Sequence, residues 1–185
     1  MKTDKHPPEL ETEAWSKEQF DEHMHENHNG SAIASYLKEI VYGGNDGIVT
    51  TFAVVAGFSG AQASIAGPVL PMVSVLIFGL ANLFADGMSM GLGNYLSLRA
   101  EQDVYKGERA KEAFEVEHSK DKEIAETQYL FIEQGFSKED AKTMTNICAK
   151  NKSFWIDFMM KYELKMNNPE DESAVINGLA TFSSF

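Results

Sequence analysis

The chain has 185 residues, with 28 Asp and Glu against 16 Lys and Arg, giving a formal net charge of -12. That balance argues against a nucleic-acid partner, because phosphate binding needs clustered bases, and it suits cations as partners. The single cysteine, Cys148, excludes an internal disulfide framework and a cysteine-based zinc site.

A mean hydropathy of -0.28 conceals two kinds of sequence in one chain. Between Lys38 and Arg99 there is no basic residue, and the only acids after Glu39 are Asp46 and Asp86. Outside that window acids outnumber bases and account for nearly all of the net charge.

Residues 1–34 are acidic and mostly polar, without the apolar core of a secretory signal, and read as a poorly ordered tail with a short helix near 15–24. Its histidines His23, His25 and His28 offer a weak chelating group that nothing in the sequence pre-organises. Residues 35–99 read as a transmembrane hairpin. The first apolar block, about 40–61, would be about 33 Å long as a helix, against about 30 Å of hydrocarbon. The turn "SGAQASIAGPVLP" follows, and then a second block, about 72–98. Both open ends carry the bases, Lys38 and Arg99, so both ends are expected on the cytoplasmic side. Small residues at three- and four-residue spacing in "GGNDG", "GFSGA" and "GMSMGLG" suit close membrane-helix packing. The alternative is a buried soluble hairpin, which the length of each block disfavours.

Residues 100–168 read as a cytoplasmic helical domain. Its first helix continues from the second block to about His118. Three further helices follow in 119–135, 137–151 and 153–166, the first two opening on Ser119 and Ser137 as caps. Residues 169–185 begin another apolar helix whose 12-residue stretch is too short to span, so the chain is read as stopping inside a third membrane helix. The expected fold class is all-α.

At about 100° per residue, Glu101, Glu108, Glu112 and Glu115 share one helix face, with Lys106, Arg109 and Lys111 on its flanks or back. Like charges so placed repel by about 0.2–0.5 kcal/mol per pair, so such a face asks for a cation against it. Glu123 and Glu126 repeat the theme on the next helix. Met159 and Met160 precede Glu163 by four and three residues, so a thioether and a carboxylate can point together, although methionines among aromatics more often pack a core. Hard divalent cations take carboxylate oxygens, and a nearby thioether favours a softer first-row ion such as Fe²⁺. Asp46 lies at membrane depth, where a carboxylate is costly unless it meets a cavity, a partner or an ion, and Met90 lies in the second block. Asp86 invites the same reading less strongly, since it can also serve helix structure.

With these residues on the page, "GGNDGIVTTFAVVAGFSGA", "ADGMSMGLGNYLS" and "DFMMKYEL" resemble the vacuolar iron transporter family, which includes yeast calcium-sensitive cross-complementer proteins and nodulin-like plant relatives. The resemblance covers about 35–185. It implies dimeric membrane proteins with five membrane helices, no prosthetic group and no enzymatic reaction. They export cytosolic Fe²⁺ or Mn²⁺ against protons, into a vacuole or across a plasma membrane. It implies Asp46 and Met90 as translocation-path residues, and Glu112, Glu115, Glu123, Glu126, Met159, Met160 and Glu163 as the cytoplasmic metal site. Asn82 stands where some iron-transporting members carry Glu, and the last membrane helices are not in this chain, which is therefore read as a fragment. Two other readings remain: a membrane-anchored metal buffer without transport, and a ferritin-like carboxylate oxidase. The latter rests on "EVEH", Glu115 to His118, as a Glu-x-x-His step.

Overall fold

The computed structural model describes residues 14–27, 37–64 and 71–185. Among them every regular element is an α-helix, in the order α1 (Lys17–Asn27), α2 (Leu37–Ser64), α3 (Met72–His118), α4 (Lys120–Glu133), α5 (Lys138–Cys148), α6 (Lys152–Tyr162) and α7 (Ala174–Ser184). Met1–Lys38 and Glu39–Phe185 are separate compact units. In the first, Trp15, two residues ahead of α1, lies edge-on to His23 of that helix, with ring centroids 4.9 Å apart. The side chains of His25 and His28 lie outside the described residues.

The second unit is organised by α3. Its 47 residues run without a break from the apolar block into the charged region, about 70 Å of helix, because no proline interrupts them and the one glycine of the charged half, Gly107, is tolerated. Among the described residues, α3 is the one helix both long and apolar enough to cross a membrane, and only 6% of its apolar window is buried. A core helix of a soluble domain would be covered on most sides, and within this chain the apolar half of α3 is not. The other expected span, about 40–61, lies within the 28-residue α2, whose Gly, Ser, Thr and Asn content leaves it less apolar. Ile48 and Phe52 on α2 are each 73% exposed, and Leu76, Ile77 and Phe84 on α3 are exposed too. An apolar surface of that extent needs lipid or protein against it.

The end of the chain packs onto this pair of helices. Ala174, Asn177, Gly178 and Thr181 recur at helical spacing and are the buried face of α7. Gly178 meets Gly91 of α3 so closely that an added Cβ would lie 2.8 Å from the Gly91 carbonyl oxygen and 3.1 Å from Tyr95 Cβ. Asn94 of α3 donates to Thr181 Oγ1 at 2.8 Å, and Gln102 donates to the carbonyls of Pro169 and Glu172 at 3.0 and 2.9 Å. Gly43 of α2 sits against Ser184, whose Oγ donates to the Glu39 carbonyl at 2.9 Å. Small residues on three helices thus let the backbones approach, and buried amides satisfy the carbonyls they meet.

The apolar core lies at the other end, where the charged half of α3 meets α4, α5 and α6. Tyr105, Val116, Phe131, Ala141, Trp155, Met159 and Met160 form it, with Ala141 and both methionines fully buried. Ion pairs fasten α6 across α3: Arg109 to Asp157 at 2.9 Å and Lys152 to Glu117 at 2.7 Å. The expected Ser137 cap forms, accepting from the Asp140 N–H at 3.1 Å, whereas the Ser119 side chain caps nothing. Its carbonyl instead accepts from the N–H groups of Lys122 and Glu123, so a single residue turns the chain from α3 to α4. Gly135, at φ 98°, ends α4 as the sequence suggests, with the Phe136 N–H bonded back to the Phe131 carbonyl and the two rings edge to face. α6 ends at Tyr162, earlier than expected, because Lys165 adopts φ 55° and reverses the chain.

The glycine contact gives a direct test. Gly178→Ala should lower the melting temperature of the detergent-solubilised chain, a cost of about 1–3 kcal/mol, because backbone must move to admit the methyl group. Gly93→Ala, with nothing within 4 Å of the added carbon, should leave it unchanged or raise it. Equal effects of the two would contradict the tight α3–α7 crossing.

Candidate metal centre

Three helices bring their acids to one place. α3 supplies Glu112 and Glu115, α4 supplies Glu123 and Glu126, and Glu163 stands at the C-cap of α6. One carboxylate oxygen each from Glu112, Glu123 and Glu163 lie within 4.8 Å of one another. Glu112 is 6% exposed and Glu123 1%, while Glu163 is open to solvent on one side. The single-residue turn at Ser119 produces this meeting, since it folds the acids of α4 back beside those of α3.

The burial is uncompensated. Glu112 Oε1, both oxygens of Glu123 and Glu126 Oε2 are shielded from water and accept no hydrogen bond. Buried charge without a partner is costly, and protonation is the usual escape. Burial, then the neighbouring Glu123, Glu163 and Glu115, push the Glu112 carboxyl up to about 8. Burial likewise raises Glu123, and it raises Glu163 with Glu126 adding to the effect. A proton on Glu112 would supply the donor that Glu123 lacks.

Met159 and Met160 are fully buried, one turn before Glu163. The Thr127 hydroxyl donates to the Glu123 carbonyl at 2.7 Å and accepts from Trp155 Nε1 at 2.7 Å, with Met159 Sδ in contact 3.3 Å from the same oxygen. Thr127 stands one turn beyond Glu123, and this side-chain chain locks α6 against the turn of α4 that carries that acid. Sequence spacing did not single out Thr127 or Trp155, because a hydroxyl–thioether contact between separate helices leaves no periodic trace.

Lys122 was also missed. Its Nζ lies 3.4 Å from Glu115 Oε2 and 3.5 Å from Glu126 Oε1. The cation that the acidic face demands is thus partly supplied from the next helix, and its four-residue spacing to Glu126 was the available signal.

The remaining candidates lie apart from this centre. Asp46 is exposed on α2 and makes no hydrogen bond or ion pair among the described residues, and Met90 is half-buried on α3 beside Gly91. Asp86 accepts a hydrogen bond from Asn82 Nδ2 at 2.9 Å, one turn along the same helix. His118 is exposed, stacked on Phe114 at 3.9 Å with Nδ1 against the Phe114 carbonyl, and is outside the carboxylate group. Of the Glu-x-x-His step of the oxidase alternative, Glu115 lies at the acidic centre and His118 lies outside it.

The raised Glu112 value fixes a sign for stability. Its native value of about 8 exceeds the ordinary 4.5, so the native state holds more protons than the unfolded chain between those limits. The contribution is fully present below about pH 4.5 and is lost as pH rises through 8. Melting temperatures of the chelator-treated chain should fall across that window, and Glu112→Gln should flatten the fall. An equally steep fall in the variant would contradict the buried-acid assignment.

Comparison with known proteins identifies the family. A family model described as the VIT family matches residues 37–185. A protein named vacuolar iron transporter from Toxoplasma gondii is 41% identical over 162 residues, covering 86% of this chain and 51% of its own length. A vacuolar iron transporter of Centaurea cyanus is 32% identical over 173 residues, with 94% and 67% covered. Vacuolar iron transporter 2 of Oryza sativa subsp. japonica is 33% identical over 158 residues, with 85% and 60% covered. The chain thus spans half to two thirds of the length of these relatives. With the family match extending from the start of α2 to the last residue, the chain belongs to the VIT family.

Proposed function

We propose that this chain takes part in moving a divalent metal ion, Fe²⁺ or Mn²⁺, out of the cytosol across a membrane, with protons moving the other way. The observation that carries the reading is the cluster of Glu112, Glu123 and Glu163, with buried oxygens that no donor satisfies. Such a cluster suits a hard or borderline dication, which replaces the missing donors and releases a bound proton. Glu115 and Glu126 extend the set, and Met159 and Met160 supply the thioethers that would tilt it toward Fe²⁺. The relatives' names support iron as cargo.

In this reading α2 and α3 form the membrane hairpin, α7 begins a third membrane helix, and the bundle of α3 to α6 lies on the cytoplasmic side, where it gathers metal. Asp46 and Met90 belong to the translocation path, Asp46 taking up a proton as the metal leaves. Two copies assemble as a dimer in a vacuolar or other membrane, lipid or the partner copy covering the exposed apolar faces of α2 and α3. A membrane-anchored buffer would use the same cytoplasmic site without transport, and the path residue separates the two.

Two measurements test the proposal. Calorimetric Mn²⁺ binding to the chain should weaken at least tenfold on Glu123→Gln and weaken as pH is lowered from 8 to 6, because protons compete for the same oxygens. In proteoliposomes holding the chain extended to the full length of its relatives, Asp46→Ala should abolish metal uptake while leaving that binding intact. Unchanged uptake in the variant removes Asp46 from the path, and binding without any uptake by the wild type would favour the buffer.

A further inference from the structure

We infer that Lys122 is a tethered competitor of the metal: its ammonium bridges Glu115 and Glu126 in the metal-free centre, and a dication that uses those carboxylates must displace it. The inference rests on the metal reading of the same site and adds the residue that sets how tightly the cargo is held.

The geometry places the amine between two helices. Nζ stands 3.4 Å from Glu115 on α3 and 3.5 Å from Glu126 on α4. Among the described residues, no other Lys or Arg pairs with Glu112, Glu115, Glu123, Glu126 or Glu163; Lys106, Arg109, Lys111 and Lys152 pair with acids elsewhere. One positive charge therefore serves the whole acidic centre. It reaches the Glu115–Glu126 side and leaves the oxygens of Glu112 and Glu123 without a donor.

The amine is also easily moved. Its side chain is 62% exposed, and the two contacts are at the long end of ion pairing. Exposed pairs of that kind contribute little, and an ammonium on a flexible four-carbon stem swings into water at small cost. A dication offers twice the charge and direct coordination, so it wins the exchange. The residual cost of the exchange falls on the bound state and loosens it. A capture site that must hand its ion onward gains from such loosening, because an ion held by five uncompensated carboxylates would leave slowly.

The test uses the chain in detergent, with Mn²⁺ as the probe. Lys122→Met keeps the length of the stem and removes the charge. It should bind Mn²⁺ about 3- to 10-fold more tightly than the wild type, since one nearby charge at a solvated site is worth about that factor. Independently, acylation of Lys122 in the wild type, read by mass spectrometry, should speed up at saturating Mn²⁺ while that of Lys120 stays constant. Equal or weaker binding by the variant, or a Lys122 acylation rate that does not rise, overturns the inference. Absence of Mn²⁺ binding by the wild type overturns the metal reading itself, and this inference with it.

Discussion

The second unit is built around a placement that elementary electrostatics disfavours: acids from α3, α4 and α6 lie within a few ångströms of one another, with Glu112 and Glu123 out of water. Nothing in the helical bundle requires Glu112 and Glu123 to be buried, since Leu or Met there would pack the same space with no desolvation cost. The surrounding structure instead holds them in place. The turn at Ser119 is one residue long, the Trp155–Thr127–Met159 contacts lock α6 onto α4, and ion pairs from Arg109 and Lys152 tie α6 across α3. A scaffold rigid enough to keep carboxylates together against their repulsion is what a cation site needs, because the ligands are pre-positioned before the ion arrives.

The continuous α3 joins this centre to the apolar end of the molecule. One helix carries Met90 and Asp86 in its apolar half and Glu112 and Glu115 in its charged half. The same helix meets α7 where Gly91 faces Gly178 and Asn94 faces Thr181. The tight backbone approach there leaves little slack.

Much of this was legible in the sequence, for identifiable reasons. Helical periodicity revealed the shared face of Glu112 and Glu115, and the missing bases on that face called for a cation. The cap at Ser137 and the terminator at Gly135 follow from local chemistry and appear as expected. The Ser119 cap does not, because its backbone carbonyl, rather than its hydroxyl, starts α4. The convergence of Glu163 on Glu112 and Glu123 depends on how α6 is docked, and that is decided by contacts between residues far apart in the chain. Lys122 escaped notice for a different reason: the acidic face was judged against the bases of its own helix, and the neutralising amine comes from the next one. The pairing of Asp46 with Met90 rests on the cost of a carboxylate at membrane depth and on resemblance, and the structure of this single chain leaves Asp46 exposed.

The central claim is that the acids of three helices share one divalent cation. Anomalous diffraction from crystals of the chain grown with Mn²⁺ addresses it most directly. The account predicts a peak in direct coordination with carboxylate oxygens of Glu112, Glu123 and Glu163. A map with no peak there, or with manganese bound only at the histidines of the N-terminal segment, would contradict it.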